Sequence, residues 1–128
     1  MRGVARACCQ AAATLHKVGI VHSDFRMANV VRLDDCHWMV IDLEHCRRAA
    51  DPLPDGYKLA DWDEGTTEKK KRKRYYSPAS DMYQIGRLLK PLLKEGFSGD
   101  AHAFVSGLSE KSLDAAAALK HTWLSLHA

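Results

Sequence analysis

No apolar run in this sequence approaches the roughly 18 residues needed to cross a bilayer as a helix, which excludes a membrane-spanning reading. The four cysteines (Cys8, Cys9, Cys36 and Cys46) contain no CxxC pair and none of the spacing of a secreted disulfide framework. Such thiols suit a reducing compartment, the cytoplasm or nucleus. Cys36-His37 and His45-Cys46 bracket a predicted hairpin, but their spacing matches no common zinc pattern, so structural thiols are the favoured reading. Acidic residues are missing before Asp24, as in transit peptides, yet the continuous apolar core of a secretory signal is missing too. No internal repeat is visible, and the one low-complexity piece is the basic run Lys69, Lys70, Lys71, Arg72, Lys73 and Arg74.

What is present fits one domain: 128 residues, 46% hydrophobic and 27% charged, enough for a real but modest core. The net charge of +3 is local in origin. Without the six residues of the basic run, the 19 Lys and Arg fall to 13 against 16 Asp and Glu, so the body is slightly acidic. The run reads by default as a solvated loop cluster meeting Asp61, Asp63 and Glu64. A nuclear import signal or nucleic-acid patch is the alternative, with only Tyr75 and Tyr76 as nearby aromatics.

Val4, Ala7, Cys8, Ala11, Ala12 and Leu15 recur at helical steps, predicting an amphipathic helix from about Val4 to Lys17 that stops at Gly19. Val30, Val31 and Leu33, a turn at Asp34-Asp35, and Trp38 to Ile41 predict a hairpin. Asn29 stands at its start and Asp42 at its exit, hence at one end of two antiparallel strands, a plausible metal pair. Residues 45 to 78, punctuated by Pro52, Pro54, Gly56 and Gly65, predict a long loop or partly ordered segment. Ser77-Pro78 opens a buried helix over residues 79 to 93, with Gly86 implying close packing and Pro91 a changed last turn. Two short helices follow, Asp100 to Leu108 and Ala115 to His121, the second capped by Asp114, with Trp123 and Leu124 as a closing plug.

In this order the motifs resemble the helical lobe of the protein kinase superfamily. The family's H-R-D-L-x-x-x-N loop is matched by residues 22 to 29, His22-Ser23-Asp24-Phe25-Arg26-Met27-Ala28-Asn29, and its Asp-Phe-Gly by residues 42 to 44, Asp42-Leu43-Glu44. Asp81 to Gly86 matches a D-x-x-x-x-G helix, and Ala118 to Leu124 the closing A-L-x-H-x-W-L. The resemblance implies a mainly α (α+β) kinase-like lobe over residues 1 to 128, with a small hairpin carrying the catalytic and magnesium loops and residues 45 to 78 as an activation-type segment. It implies that Asp24 orients the acceptor and takes its proton, that Arg26 contacts the transferring phosphate, and that Asn29 and Asp42 hold Mg2+ with ATP. Val31 would lie under the adenine on Leu88 and Leu92, His22 and Leu43 would share a packed column, and Asp81 would bond the backbone of the catalytic loop.

The family's nucleotide-clamping lobe has no counterpart: neither G-x-G-x-x-G nor the V-A-I-K lysine occurs. The expectation is a fragment of a longer kinase, or a lobe completed by a partner chain, weak in ATP binding and inactive alone. Ser23 replaces the arginine that pairs with a loop phosphate, and Glu44 the glycine after the magnesium aspartate. Ala-Pro-Glu and its arginine partner are both gone, with Ser112-Leu113-Asp114 in the latter's place, a coherent loss of one buried pair. The expected function is ATP-dependent phosphoryl transfer to a protein or small-molecule acceptor. The rivals are a catalytically silent interaction module and, more distantly, a basic nuclear or nucleic-acid-associated protein.

Overall fold

Helical spacing of small and apolar side chains winds Arg2–Lys17 into α1, whose buried face is Val4, Ala5, Cys8, Cys9 and Ala12. That face is turned from the expected one: Ala5 and Cys9 are inside, while Ala7, Ala11 and Leu15 are half-buried. Burial pushes the Cys8 and Cys9 thiols up to about 12, the neighbouring Cys8 adding to the rise at Cys9, so both are neutral packing groups. Gly19 follows the helix at φ +77, the left-handed turn that lets the chain reverse into β1, Ile20–Val21.

The computed structural model describes residues 1–125, an α+β fold of five helices and three two-stranded antiparallel sheets. No helix among the described residues is long and apolar enough to cross a membrane. The predicted hairpin forms from β2, Val30–Arg32, and β3, Trp38–Val40, with Val30 opposite Val40 and Val31 opposite Met39. It rests on α1 through Trp38, whose ring lies so close to Gly3 that an added Cβ would stand 2.8 Å from it.

Residues 45 to 78 are not the loose loop that their proline and glycine content predicts. β4, Arg47–Arg48, pairs with β1, and β5, Glu68–Lys70, pairs with β6, Lys73–Tyr75, so the basic run is a hairpin. Backbone bonds from Ala50 to Tyr76 (3.0 Å) and from Leu53 to Arg74 (2.8 Å) tie the segment to β6. Val21, Leu53 and Tyr76 close a small second core. The acids at 61, 63 and 64 do not meet the basic run. Asp63 instead accepts hydrogen bonds from Arg87 (2.7 Å) and the Tyr83 hydroxyl (2.9 Å), pinning the segment to the next helix.

That helix, α2, spans Pro78–Leu89, shorter than the predicted 79 to 93 because Pro91 cannot donate within a helix; Lys90–Leu92 form a 3₁₀ turn instead. Its start is fixed by a reciprocal cap in which the Ser77 and Ser80 hydroxyls each accept the other's backbone N–H, with Pro78 as first residue. α3, Gly99–Ser109, crosses α2 at Gly86; α4, Ala115–Lys120, begins on the Asp114 cap; α5, Thr122–Ser125, buries Trp123 and Leu124 as the expected plug. Arg2 and Arg6 of α1 donate to the carbonyls of Trp123 and Leu124, closing the helical core.

A Cβ on Gly86 would meet Ser109 Oγ at 2.7 Å, Ser109 N at 2.9 Å and Leu108 Cβ at 3.0 Å. All three atoms belong to the opposing helix, and because Ser109 N and Leu108 Cβ cannot swing aside, Gly86→Ala is expected to destabilise by about 1–3 kcal/mol in urea unfolding, despite alanine's higher helix propensity. A second expectation concerns acid. Partial burial pushes the Asp63 carboxyl up, but the bonds from Arg87, Tyr83 and the Gly65 N–H outweigh it and hold the group below its usual 3.8. The tether is therefore fully present above that pH and is lost as pH falls through the lower folded value. Hydrogen exchange of residues 61 to 67 should accelerate below about pH 3.8 more than exchange of α1 does, and Asp63→Asn should remove that pH step.

Candidate functional site

In the loop from His22 to Asn29, His22 to Phe25 and Asn29 are buried, unusual for a connection so rich in polar groups, while Met27 and Ala28 are exposed. Its backbone is held from below by α2. Asp81, fully buried, accepts the N–H of His22 on one carboxylate oxygen and that of Ser23 on the other, both at 2.9 Å, and the His16 ring at 2.7 Å. Gln84, one turn along the same helix, accepts the Phe25 N–H (3.0 Å) and donates to the Ser23 carbonyl (2.7 Å). His22 stacks on Phe25 at 4.5 Å. Its Nδ1 accepts the Asp24 N–H, which leaves the proton on Nε2 to be donated to the Ile41 carbonyl at 3.2 Å.

This scaffold presents Asp24 at the loop's mouth, 5% exposed. One carboxylate oxygen receives Arg26 Nε at 3.2 Å, and the other receives Asn29 Nδ2 at 2.9 Å. The same Asn29 nitrogen also donates to the Asp24 carbonyl at 2.9 Å, so the amide oxygen is the atom left to face a ligand. Asp24, Arg26 and Asn29 are thus brought together as one constellation.

Asp42 reaches the same end by another route. The β2–β3 ladder is extended by Ile41, which donates to the Asn29 carbonyl at 2.8 Å, placing Asp42 one residue past Asn29's partner. Its φ is +63, its side chain is exposed, and one oxygen accepts the Glu44 N–H at 3.2 Å. No hydrogen bond joins it to Asn29. Hard oxygen donors such as those of Asn29 and Asp42 are the donor chemistry Mg2+ takes. Among the described residues no three His, Cys, Asp or Glu side chains gather as a ready-made metal cluster. His37 is engaged by Asp34 at 2.8 Å within its own turn, and His45 by the hydroxyl of Tyr57, 12 residues on, at 3.2 Å.

Val31 departs from its expected support. It is 36% exposed on the outer face of the hairpin, while Val30, on the opposite face, packs with Leu88 and with Leu92 at the core's margin. The period of two along a strand explains this, since consecutive residues cannot both face the core. Leu43 is likewise 61% exposed, lining a cavity of about 300 Å³ with Leu15, His22 and Val40 rather than packing on His22. On the other side of the loop, Phe25, Arg26, Met27, Trp62 and Arg87 line a cavity of about 450 Å³.

The sequence reading missed Gln84, His16 and the Trp62–Asp63 wall. For Gln84 a signal existed: it stands three residues after Asp81, among the apolar Met82, Ile85, Leu88 and Leu89, and so shares a face with it. No family model matches this chain, and no curated protein matches it.

Removing Asp81's charge leaves fewer acceptor sites for three converging donors. Asp81→Asn is expected to destabilise by about 2–4 kcal/mol in urea unfolding, and Asp24→Asn, whose carboxylate takes two side-chain donors rather than two backbone N–H groups and a ring, by clearly less. Equal losses at the two positions would refute this difference.

Proposed function

We propose that the chain is the helical lobe of a divergent protein-kinase-like phosphotransferase that moves a phosphoryl group from ATP, with Mg2+, to a protein or small-molecule acceptor. The observation that carries this reading is the Asp24 carboxylate held between Arg26 and Asn29 on a loop anchored to Asp81, with Asp42 at the same end of the adjoining hairpin. Phosphoryl transfer needs a base aimed at an acceptor hydroxyl and cationic groups near the phosphate, all preset. Asp24 supplies the base and Arg26 the cation. Asn29 and Asp42 are the residues that would hold magnesium, which when bound neutralises phosphate charge.

Backbone strain adds support. Ser23 at φ +76 and Asp42 at φ +63 are non-glycine residues in a left-handed conformation costing about 1–3 kcal/mol each, and both sit at this constellation. The exposed Val31 and Met39, cross-strand partners, form an apolar face that an adenine-covering lobe or partner chain would cover. The free thiols suit the cytoplasm or nucleus. A catalytically silent module is the second reading, favoured by the exposure of Asp42 and its lack of contact with Asn29.

Calorimetric titration separates the two. A non-hydrolysable ATP analogue should bind weakly and only with magnesium present, and Asp42→Asn should weaken it at least about tenfold, whereas Asp24→Asn should leave binding within about twofold. Magnesium-independent binding, or none that Asp42→Asn alters, would leave the silent module standing.

A further inference from the structure

The basic hairpin is an ordered, solvent-facing structure with more charge than its own contacts use. Across β5 and β6, Lys69 stands opposite Arg74 and Lys70 opposite Lys73, like charges where opposite ones would stabilise. None of the ion pairs among the described residues involves residues 69 to 74. The turn is stranger still. Lys71 (φ +49) and Arg72 (φ +66) both take the left-handed conformation of a tight hairpin, a place where Asn-Gly sits freely and long side chains are strained. Strain accepted at two adjacent positions to keep two cations points to a use for the charge.

The edges of the hairpin narrow the choice of partner. The outer edge of β6 is taken by Pro52, bridged to Tyr75, and by Leu53, whose N–H bonds the Arg74 carbonyl. The outer edge of β5, Glu68–Lys70, meets no other strand among the described residues. An open edge pairs with an extended chain, and lysines along it turn away basic or neutral strands while admitting acidic ones. Nucleic acid fits less well. The nearest indole, Trp62, already carries Lys58 at 4.3 Å and Arg74 at 5.0 Å from its centroid, which occupies a surface that bases would stack on. The body outside the run has 13 basic residues against 16 acidic ones, so a long polyanion would be repelled where a short acidic peptide would not reach.

We propose that the β5–β6 hairpin docks an extended acidic peptide segment, added as a strand along β5 and held by Lys69, Lys70, Lys71, Arg72 and Lys73. That this segment belongs to the phosphoacceptor rests on the phosphoryl-transfer reading, since Trp62 joins the root of the hairpin to the cavity beside Arg26. The docking itself does not.

Fluorescence anisotropy with a labelled Glu/Asp-rich decapeptide, in the absence of nucleotide, tests it. Binding should weaken about tenfold in Lys69→Gln/Lys70→Gln/Lys73→Gln, and should fall steeply as salt rises from about 50 to about 300 mM. The Lys71→Asn/Arg72→Gly variant removes two charges while relaxing the turn, so it should raise thermal stability and still lower peptide affinity. A backbone N-methylated peptide of the same charge should bind more weakly than the parent. Peptide binding that ignores the charge variants, equal binding of the N-methylated peptide, or tighter binding of an oligonucleotide of equal charge would each overturn the proposal. Peptide binding without magnesium-dependent nucleotide binding would overturn only the acceptor assignment.

Discussion

A single buried carboxylate organises this chain. Asp81 has no exposed surface, and a charge in that position is tolerated only when its oxygens are filled. Two consecutive backbone N–H groups and an imidazole fill them, and its place in the first turn of α2 adds the favourable end of the helix dipole. For both N–H groups to aim at one carboxylate the backbone must turn sharply, and Ser23 takes φ +76 to do so. The strain at Ser23 and the burial of Asp81 are therefore two sides of one arrangement. Because the Ser77–Ser80 cap fixes where α2 begins, it also fixes where Asp81 stands, and through it the loop that carries Asp24.

The outlying segment is secured differently, by many weak ties rather than one strong one. Val21, Leu53 and Tyr76 supply a small apolar contact, and the buried Tyr76 hydroxyl has no partner, which subtracts from it. Asp63 supplies the polar tie to α2, while Gly65 lies against the Tyr83 ring where a Cβ would come within 2.5 Å of a ring carbon. Half-exposed charges and small contacts of this kind hold a segment in place yet let it respond to acid or to a ligand at far lower energy than the helical core.

The helices and the first hairpin were legible because their signals are local. Periodicity marked α1, serine before proline marked α2, and Asp114 marked α4, each a contact within a few residues. The order of residues 45 to 78 was not legible. Prolines and glycines that read as loop punctuation are compatible with short strands whose partners lie about 25 residues away, and nothing local encodes Ala50 pairing with Tyr76. The candidate site divides along the same line. Asp24 and Asn29 lie five residues apart and their meeting is implicit in the spacing, whereas Gln84 reaches the loop across 59 residues. The exposure of Val31 has a local cause: the strand's alternation assigns the core to Val30, so the outer face falls to its neighbour.

The engagement of Asp24 bears on whether it is a working group or a relic. A carboxylate offers about four acceptor sites over its two oxygens. Arg26 and Asn29 use two, which leaves room for an incoming hydroxyl without breaking either bond. Both carboxylates are buried, and they differ in what engages them: Asp81 takes two backbone N–H groups and the His16 ring, whereas Asp24 takes the side chains of Arg26 and Asn29.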